Sequence, residues 1–257
     1  MAEPLLRLEH LSKNFGAVEA LTDVTLDIPA GQVTALAGDN GAGKSVLIKC
    51  IAGIHRPSSG RMLWEGRQVD PRTPREASDL GIATVYQDLA LCDNLDVVQN
   101  MFLGRERLHH GLLDDEDMEG AARETLRGLG VTTIRSVRQP VGSLSGGQRQ
   151  SVAIAKSVLW HAKLVIMDEP TAALGTAQTE VVLELIQQLA LRGIGVIVIS
   201  HNMNDVFRVA DRIAVFYLGR LVAVRPAAEL DIPSVVRLMT TGTEGSSAPV
   251  AAPVPQQ

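Results

Sequence analysis

One short glycine-rich run limits the possible folds of this chain more than any other feature. The pattern G-x-x-x-x-G-K-[ST], which is typical of phosphate-binding loops, is matched at every fixed position by Gly38, Asp39, Asn40, Gly41, Ala42, Gly43, Lys44 and Ser45. The apolar segment 33–37 predicts a short buried strand before the run, and segment 46–52 predicts a helix after it. A strand, a loop and a helix in this order indicate a phosphate site, whereas the run alone would also suit a simple turn between strand and helix.

The chemistry of this loop suits a nucleotide. Its glycines let successive backbone N–H groups point inward, and the N-terminus of the following helix adds its dipole and its unpaired N–H groups. Lys44 is long enough to reach the terminal phosphates, and the hydroxyl of Ser45 is suited to bind Mg²⁺. The sequence therefore predicts a nucleotide-binding segment that runs from Gly38 to Val46.

Composition narrows the class of protein. The chain has 257 residues, with 24 basic and 29 acidic side chains and a net charge of −5, which gives no support for nucleic-acid binding. Its two cysteines, Cys50 and Cys92, are too few for a disulfide framework and favour a reducing compartment. No apolar run approaches the roughly 20 residues that a membrane-spanning helix needs, and no signal peptide is apparent. We therefore expect any contact with a membrane to be made through a partner.

The pattern before the loop predicts an antiparallel part of the fold. Segments 5–11 and 24–28 alternate apolar and polar residues, which predicts two half-buried antiparallel strands with a turn near Gly16. Phe15 lies on their connection. Its ring could serve simple edge packing, or it could be a platform on which an adenine ring stacks.

The pattern after the loop predicts a further strand and a helical part. Segment 81–86 predicts a strand with Gln87 at its end. Segment 94–130 has helical spacing and no strand signal, and its acidic run 114–117 is typical of a solvated helix start. We interpret this stretch as an inserted helical subdomain.

A second glycine-containing run predicts another helix start. It consists of Leu144, Ser145, Gly146, Gly147 and Gln148. The helical segment 151–159 follows, Ser145 is suited to cap that helix, and the two glycines leave its first N–H groups open to an anion. The chain therefore has a second helix N-terminus that suits a phosphate.

These motifs together resemble the nucleotide-binding subunits of ATP-binding-cassette (ABC) transporters, in which L-S-G-G-Q is the signature. The resemblance extends over residues 5–239, nearly the whole chain. Asp168 and Glu169 end an apolar segment that resembles the family's Walker B element, and His201 follows a further apolar segment. The resemblance implies that Asp168 holds Mg²⁺ through water, that Glu169 orients and activates the attacking water, and that His201 contacts the γ-phosphate.

The resemblance also implies roles for residues that are uninformative alone. Gln87 matches the family's Q-loop, which touches Mg²⁺ or water and leads toward the surface that couples to the transporter. Phe15 matches the aromatic residue that stacks on adenine. The signature, residues 144–148, would contact the ATP bound by a second subunit, because two cassettes meet head to tail in this family.

One position departs from the family pattern. After the Walker B acids the family usually has a D-loop close to S-A-L-D, but this chain ends the corresponding run with Gly175. Because the missing aspartate serves communication between two subunits, the change bears on their coupling and not on nucleotide binding.

Several runs resemble the ribose, xylose and fructose branch of monosaccharide importers. They are 38–45, 85–91, 100–106, 168–175 and 200–203.

We therefore predict an α/β fold. It consists of a P-loop NTPase core, in which helices flank a mainly parallel sheet, with an antiparallel β subdomain and an inserted helical subdomain. We expect the ATPase domain at residues 4–240, with the helical subdomain at about 90–160. Residues 241–257 are rich in Gly, Ser, Ala and Pro and are expected to form a disordered tail.

The implied function is that of an ATPase that uses ATP and Mg²⁺ to power the import of a sugar, a monosaccharide, through separate permease subunits. The resemblance further implies a second copy of the chain, an extracytoplasmic sugar-binding protein in the same system, and a peripheral place on the cytoplasmic, inner face of the cell membrane. Nucleic acid is not an expected partner.

Two other classes of protein share some of these motifs. An ABC ATPase that acts in translation or DNA repair would carry all of them, but such proteins commonly have two cassettes or a long coiled-coil insertion, and this sequence shows neither. A small-molecule kinase would share only the phosphate loop and would not need L-S-G-G-Q.

Overall fold

The computed structural model describes residues 3–243 of the chain and confirms the predicted α/β class. Its strands are β1 (Leu6–Phe15), β2 (Val18–Ile28), β3 (Val33–Ala37), β4 (Ser59–Trp64), β5 (Arg67–Val69), β6 (Ile82–Val85), β7 (Leu108–His109), β8 (Leu112–Leu113), β9 (Leu164–Asp168), β10 (Gly195–Ile199), β11 (Arg212–Tyr217) and β12 (Arg220–Pro226). Its α-helices are α1 (Lys44–Ile51), α2 (Pro74–Asp79), α3 (Val97–Phe102), α4 (Asp115–Gly128), α5 (Gly146–Leu159), α6 (Thr176–Leu191), α7 (Met203–Val209) and α8 (Ile232–Thr241).

A mainly parallel sheet positions the glycine-rich loop. Its strand order is β12–β11–β3–β10–β9–β6, and every neighbouring pair is parallel except β12 with β11. Residues of β10 alternate between a cluster with α5 and α6 and a cluster with α1 and the antiparallel sheet, so all five are buried. Because parallel strands end at the same edge, Ile199 pairs with Leu36 on one side and with Asp168 on the other.

A separate antiparallel sheet contains the strands predicted before the loop. Its order is β2–β1–β4–β5, and β1 and β2 pair as an antiparallel hairpin. The turn near Gly16 is confirmed, but both strands are longer than predicted, since β1 continues to Phe15 and β2 begins at Val18. Apolar residues of both strands pack against α1 in the same core cluster.

The segment between β6 and β9 contains α3, α4 and α5. The acidic run does begin a helix, since the Asp114 side chain accepts a hydrogen bond from the N–H of Asp117 at the start of α4. The prediction that segment 94–130 contains no strand is wrong, because β7 and β8 form a short hairpin there. Between them His110 and Gly111 both have a positive φ, 50° and 83°, which suits the twist of a tight hairpin turn.

Some sequence expectations concern single features. Both cysteines are free; Cys50 is a buried residue of α1, and burial raises the pKa of its thiol to about 11. Within residues 3–243, none of the helices is long and apolar enough to span a membrane.

Thr241, at the start of the predicted tail, is the last residue of α8. Residues 244–257 of that tail lie outside the described residues.

Candidate nucleotide site

The glycine-rich run forms a tight loop between β3 and α1. Gly43 is the N-cap of α1 and has a φ of 101°. A Cβ atom at Gly43 would lie 2.8 Å from the carbonyl oxygen of Ala20, so no larger residue fits without a backbone shift. No side chain of the described residues caps the first turn of α1. The first N–H groups of this helix are therefore available to an anion.

The side chain of Lys44 turns back over this loop. Its Nζ donates hydrogen bonds to the carbonyl oxygens of Gly38, at 2.6 Å, and Asp39, at 2.9 Å. Lys44 is only 6% exposed. Burial lowers the pKa of its ammonium group, while the charges of Glu169 and Asp168 act in the opposite direction. The site thus contains a buried cation close to two acids.

Most of the predicted site residues line a single cavity of about 330 Å³. The residues that line it are Ala20, Asn40, Gly41, Ala42, Gly43, Lys44, Ser45, Val46, Gln87, Asp168, Glu169, Ile199 and His201. Ala20 and Ile199 were not predicted, and no sequence motif marks them. Gly38 and Asp39 do not line the cavity, but their carbonyl oxygens hold Lys44 in it.

Glu169 and His201 face each other across this cavity. Oε1 of Glu169 lies 3.1 Å from Nε2 of His201, and Oε2 accepts a hydrogen bond of 3.4 Å from the His201 N–H. Burial raises the pKa of the Glu169 carboxyl, while the nearby His201 lowers it. The backbone of Glu169 has a φ of 53°, which non-glycine residues rarely adopt, and its N–H donates to the carbonyl oxygen of Ile199 at 2.9 Å.

Three oxygen-bearing side chains in the cavity suit a magnesium ion. They belong to Ser45, Gln87 and Asp168, and hydroxyl, amide and carboxylate oxygens are the ligands that Mg²⁺ prefers. Burial raises the pKa of Asp168, and the charge of Lys44 opposes this shift. No cluster of three or more His, Cys, Asp or Glu side chains in residues 3–243 could hold a metal ion.

The signature run begins α5 and lies outside this cavity. Ser145 is the N-cap, as predicted: its Oγ accepts from the N–H of Gln148 at 3.3 Å, and Oε1 of Gln148 accepts from the N–H of Ser145 at 2.9 Å. Leu144, just before the cap, is buried. None of the residues 144–148 lines the cavity around Lys44.

The two signature glycines have a packing role that the sequence did not indicate. A Cβ atom at Gly146 would lie 2.9 Å from a methyl carbon of Leu174. A Cβ atom at Gly147 would lie 2.9 Å from Cβ of Gln178. Both contacts join the first turn of α5 to the start of α6. A larger residue at Gly147 would need a shift between the two helix starts, whereas at Gly146 a turn of the Leu174 side chain would make room.

Comparison with known proteins gives the family. The sequence model of the family described as "ABC transporter" matches residues 21–172, which is more than half of the chain. The chain belongs to the ABC transporter family. The region matched includes the glycine-rich loop, the signature and the two acids, Asp168 and Glu169, at the end of β9.

Individual relatives of this ABC ATPase support the same family assignment. The fructose import ATP-binding protein FrcA of Rhizobium meliloti is 44% identical over 257 residues, which cover 97% of this chain and 99% of the relative. The xylose/arabinose import ATP-binding protein XylG of Sulfolobus acidocaldarius is 42% identical over 92% of this chain and 94% of its own. A solved ATP-binding cassette of an ABC transporter has a TM-score of 0.81 at 27% identity, over 92% of this chain and 99% of that chain. The predicted family, fold and ATPase activity are confirmed.

A groove adjoins the Q-loop position of this ABC ATPase. Gln87 is exposed and lines the nucleotide cavity, whereas Tyr86 before it and Leu89 and Ala90 after it line a neighbouring groove of about 320 Å³. Trp160 and Lys156 also line this groove. The segment around Gln87 therefore contacts both cavities.

Asn100 fixes the segment that follows Gln87, a role that sequence reasoning missed. Its side chain is fully buried. Oδ1 accepts from the N–H of Cys92 at 2.7 Å, and Nδ2 donates to the carbonyl oxygens of Cys92, Leu95 and Asp96 at 3.0–3.2 Å. This one amide attaches segment 92–96 to α3. A buried asparagine in an apolar helix was the available signal.

Phe15 lies near the loop but does not line the nucleotide cavity. Its ring is 44% exposed and packs edge-on against His55, with centroids 5.2 Å apart. Nζ of Lys13 lies 4.9 Å from the ring centroid. The ring thus packs against neighbours in the fold and is also partly exposed, which is compatible with edge packing and with stacking on a base.

Gly175 caps α6 without a side chain. Its φ and ψ of −74° and 160° are accessible to any residue, and its carbonyl oxygen accepts from the N–H of Gln178 at 2.9 Å. A Cβ atom at Gly175 would meet no atom within 4 Å. Space therefore does not explain why this ABC ATPase lacks the D-loop aspartate.

Proposed function

We propose that this chain is the ATP-binding and ATP-hydrolysing subunit of a monosaccharide importer. One observation carries the proposal: a single cavity brings the phosphate-loop residues together with Gln87, Asp168, Glu169 and His201. The sugar class is supported by the two relatives whose names specify fructose and xylose/arabinose import, because this chain spans nearly the full length of each.

Different residues of the cavity have different proposed roles in phosphoryl transfer. The loop N–H groups of segment 38–46 and Lys44 bind the phosphates of ATP. Ser45, Gln87 and Asp168 are the proposed ligands of Mg²⁺, which supplies charge neutralisation when bound. Glu169 orients the attacking water and accepts its proton, and His201 holds Glu169 and contacts the terminal phosphate. Phe15 stacks on the adenine ring with its exposed face.

A second copy of the chain completes this site. The helix N-terminus at Gly43 and the one at Ser145 both suit an anion, yet the signature residues 144–148 do not line the cavity around Lys44. In a head-to-tail dimer the signature of each copy would instead meet the ATP held by the other. ATP binding then stabilises the dimer, since both copies contact the same molecule.

The groove beside Gln87 is where the permease would act on this subunit. Its lining is mostly apolar and includes Arg105 and Lys156, and it shares the segment around Gln87 with the nucleotide cavity. A permease segment in this groove would therefore place the chain on the inner, cytoplasmic face of the cell membrane. An extracytoplasmic sugar-binding protein would deliver the sugar. We assign the ATPase domain to residues 4–240, with a helical subdomain at about 90–160.

Reconstitution tests this function directly. The chain is co-expressed with membrane proteins encoded beside it and placed in vesicles with the corresponding binding protein. Uptake of labelled fructose, xylose and ribose is then measured with and without ATP. We expect ATP-dependent accumulation of one of these sugars and none with the Lys44→Ala variant. An active ATPase that associates with no membrane protein and is not stimulated by sugar would overturn the proposal.

A further inference from the structure

We propose that the hydrogen bond between Thr171 and Asp205 is a positioning device that sets the geometry of Glu169 against His201. Oγ1 of Thr171 donates to Oδ2 of Asp205 at 2.8 Å, and the pair is partly buried. Neither residue lines the nucleotide cavity. The inference rests on the proposed function, since it assumes that Glu169 and His201 act on ATP.

Connectivity makes this contact relevant to the site. Thr171 follows Glu169 by two residues, and Asp205 follows His201 by four. The 3.1 Å approach of Glu169 Oε1 to His201 Nε2 and the 2.8 Å hydrogen bond of Thr171 to Asp205 therefore join the same two short segments twice. Segments 169–171 and 201–205, together with these two contacts, form a closed ring. A change at one contact must alter the other unless the intervening backbone absorbs it.

The backbone on the Thr171 side of this ring is held in an unusual conformation. Glu169 and Ala173, which flank Thr171, have positive φ values of 53° and 60°. Such values are unfavourable for non-glycine residues and persist where the surroundings fix them. The Thr171 hydroxyl is bonded between these two positions, so it is well placed to fix the conformation from which the Glu169 side chain projects.

Helices α6 and α7 themselves are joined at the end of α7 that lies away from His201. Glu180 forms an ion pair with Arg208, and Nε2 of Gln187 donates to the carbonyl oxygen of Arg208 at 3.0 Å. Arg208 lies in the last turn of α7, whereas Asp205 lies in its first turn, close to His201. The ion pair at Arg208 therefore offers a control, because it joins α6 to α7, whereas the Thr171–Asp205 contact joins the segment before α6 to α7.

The decisive variant is Thr171→Val, which keeps the shape of the side chain and removes its hydroxyl. We expect kcat for ATP hydrolysis by the complex with its membrane subunits to fall about tenfold or more, as expected for a misplaced reacting group, while the KM for ATP stays near the wild-type value. Thr171→Ser, which restores the donor, should recover most of kcat. Glu180→Gln should leave both constants unchanged.

A double-variant cycle separates positioning from simple destabilisation. Asp205→Ala removes the acceptor from the other side and should lower kcat by a similar factor, and the Thr171→Val/Asp205→Ala protein should be no slower than the slower single variant. An unchanged kcat in Thr171→Val, a failure of Thr171→Ser to recover, or additive losses would overturn the inference. Lys44→Ala and Glu169→Gln are measured alongside. If those two remain active, the proposed function itself fails; if they are inactive while Thr171→Val is normal, only the positioning role fails.

Discussion

The ammonium nitrogen of Lys44 lies 2.6 Å from the carbonyl oxygen of Gly38, so the lysine that should meet the phosphates is held by its own loop. A second bond, to the carbonyl oxygen of Asp39, fixes the same nitrogen. These two hydrogen bonds restrict the conformations open to the Lys44 side chain. Less conformational entropy remains to be lost when the phosphates bind.

Replacing Lys44 by alanine should weaken ATP binding and abolish hydrolysis. A hydrogen bond to a charged group contributes roughly 1.5–3 kcal/mol, so its loss corresponds to an increase of about tenfold or more in Kd. Titration calorimetry and a phosphate-release assay measure the two effects. Lys163→Ala is the control, because Lys163 is an exposed lysine paired with Glu65 on the surface. Near-normal ATPase activity of Lys44→Ala, assayed with the membrane subunits, would refute the assignment.

Replacing Gln87 by alanine should leave nucleotide affinity largely intact and reduce transport. The reason is that Gln87 lines the nucleotide cavity while its neighbours Tyr86 and Leu89 line the adjoining groove. Sugar uptake in vesicles and the Kd for ATP are measured on the same preparation. Gln188→Ala, at an exposed position of α6, serves as the control. Unchanged uptake in Gln87→Ala would show that this coupling role is wrong.

Glu169→Gln should trap an ATP-bound dimer. The amide keeps the shape and most of the hydrogen bonding of the side chain but cannot accept a proton from water. ATP should therefore bind, bring two copies together and remain uncleaved. Light scattering after size-exclusion chromatography, with and without ATP and Mg²⁺, measures the association, and Glu184→Gln on the exposed face of α6 is the control. Because Gly175 replaces an aspartate of the D-loop, the permease-bound complex is measured as well. Absence of an ATP-dependent dimer in both settings contradicts the composite site.

Gly175→Asp should stabilise the fold. The φ and ψ of Gly175 suit an aspartate N-cap, a Cβ atom meets no neighbour there, and no side chain of the described residues caps α6. An aspartate in place of glycine at an N-cap is worth a few tenths of a kcal/mol, up to about 1 kcal/mol with its interaction with the helix dipole. Urea unfolding measures the gain. Gly175→Ala adds the same Cβ atom without a cap, so the prediction fails if the alanine variant is as stable as the aspartate variant.

Local sequence patterns predicted the parts of the fold that have a strong period or a fixed motif. The phosphate loop, β3 and the antiparallel pair of β1 and β2 are of this kind. The hairpin of β7 and β8 was missed because each strand has only two residues, too few for an alternation to be visible. Helix α2 was also not predicted, although Thr73, Pro74 and Glu76 form a helix-start signal, which the structure uses: Thr73 caps the N–H of Glu76.

Predicting the site needed more than local pattern. The convergence of Glu169 and His201 follows from parallel strands that end at one edge, but the order β3–β10–β9 cannot be read from the spacing of the strands along the chain. Ala20 also lines the cavity, although its strand, β2, lies well before the glycine-rich loop in the sequence. An alanine carries no sequence signal that would predict such a position. The Thr171–Asp205 contact likewise depends on how α7 packs against the segment before α6.

The close packing of Gly146 and Gly147 on Leu174 and Gln178 has a consequence for how this sequence can vary. Because Gly146 and Gly147 have no side chains, those of Leu174 and Gln178 pack directly on the start of α5, and a larger residue on one side needs a smaller residue or a shift on the other. Positions 146 and 147 should therefore covary with positions 174 and 178 among homologues. A chimera that takes α5 from one homologue and the start of α6 from another would put mismatched surfaces together at this point, and we expect such proteins to lose stability unless both helix starts are exchanged as a unit.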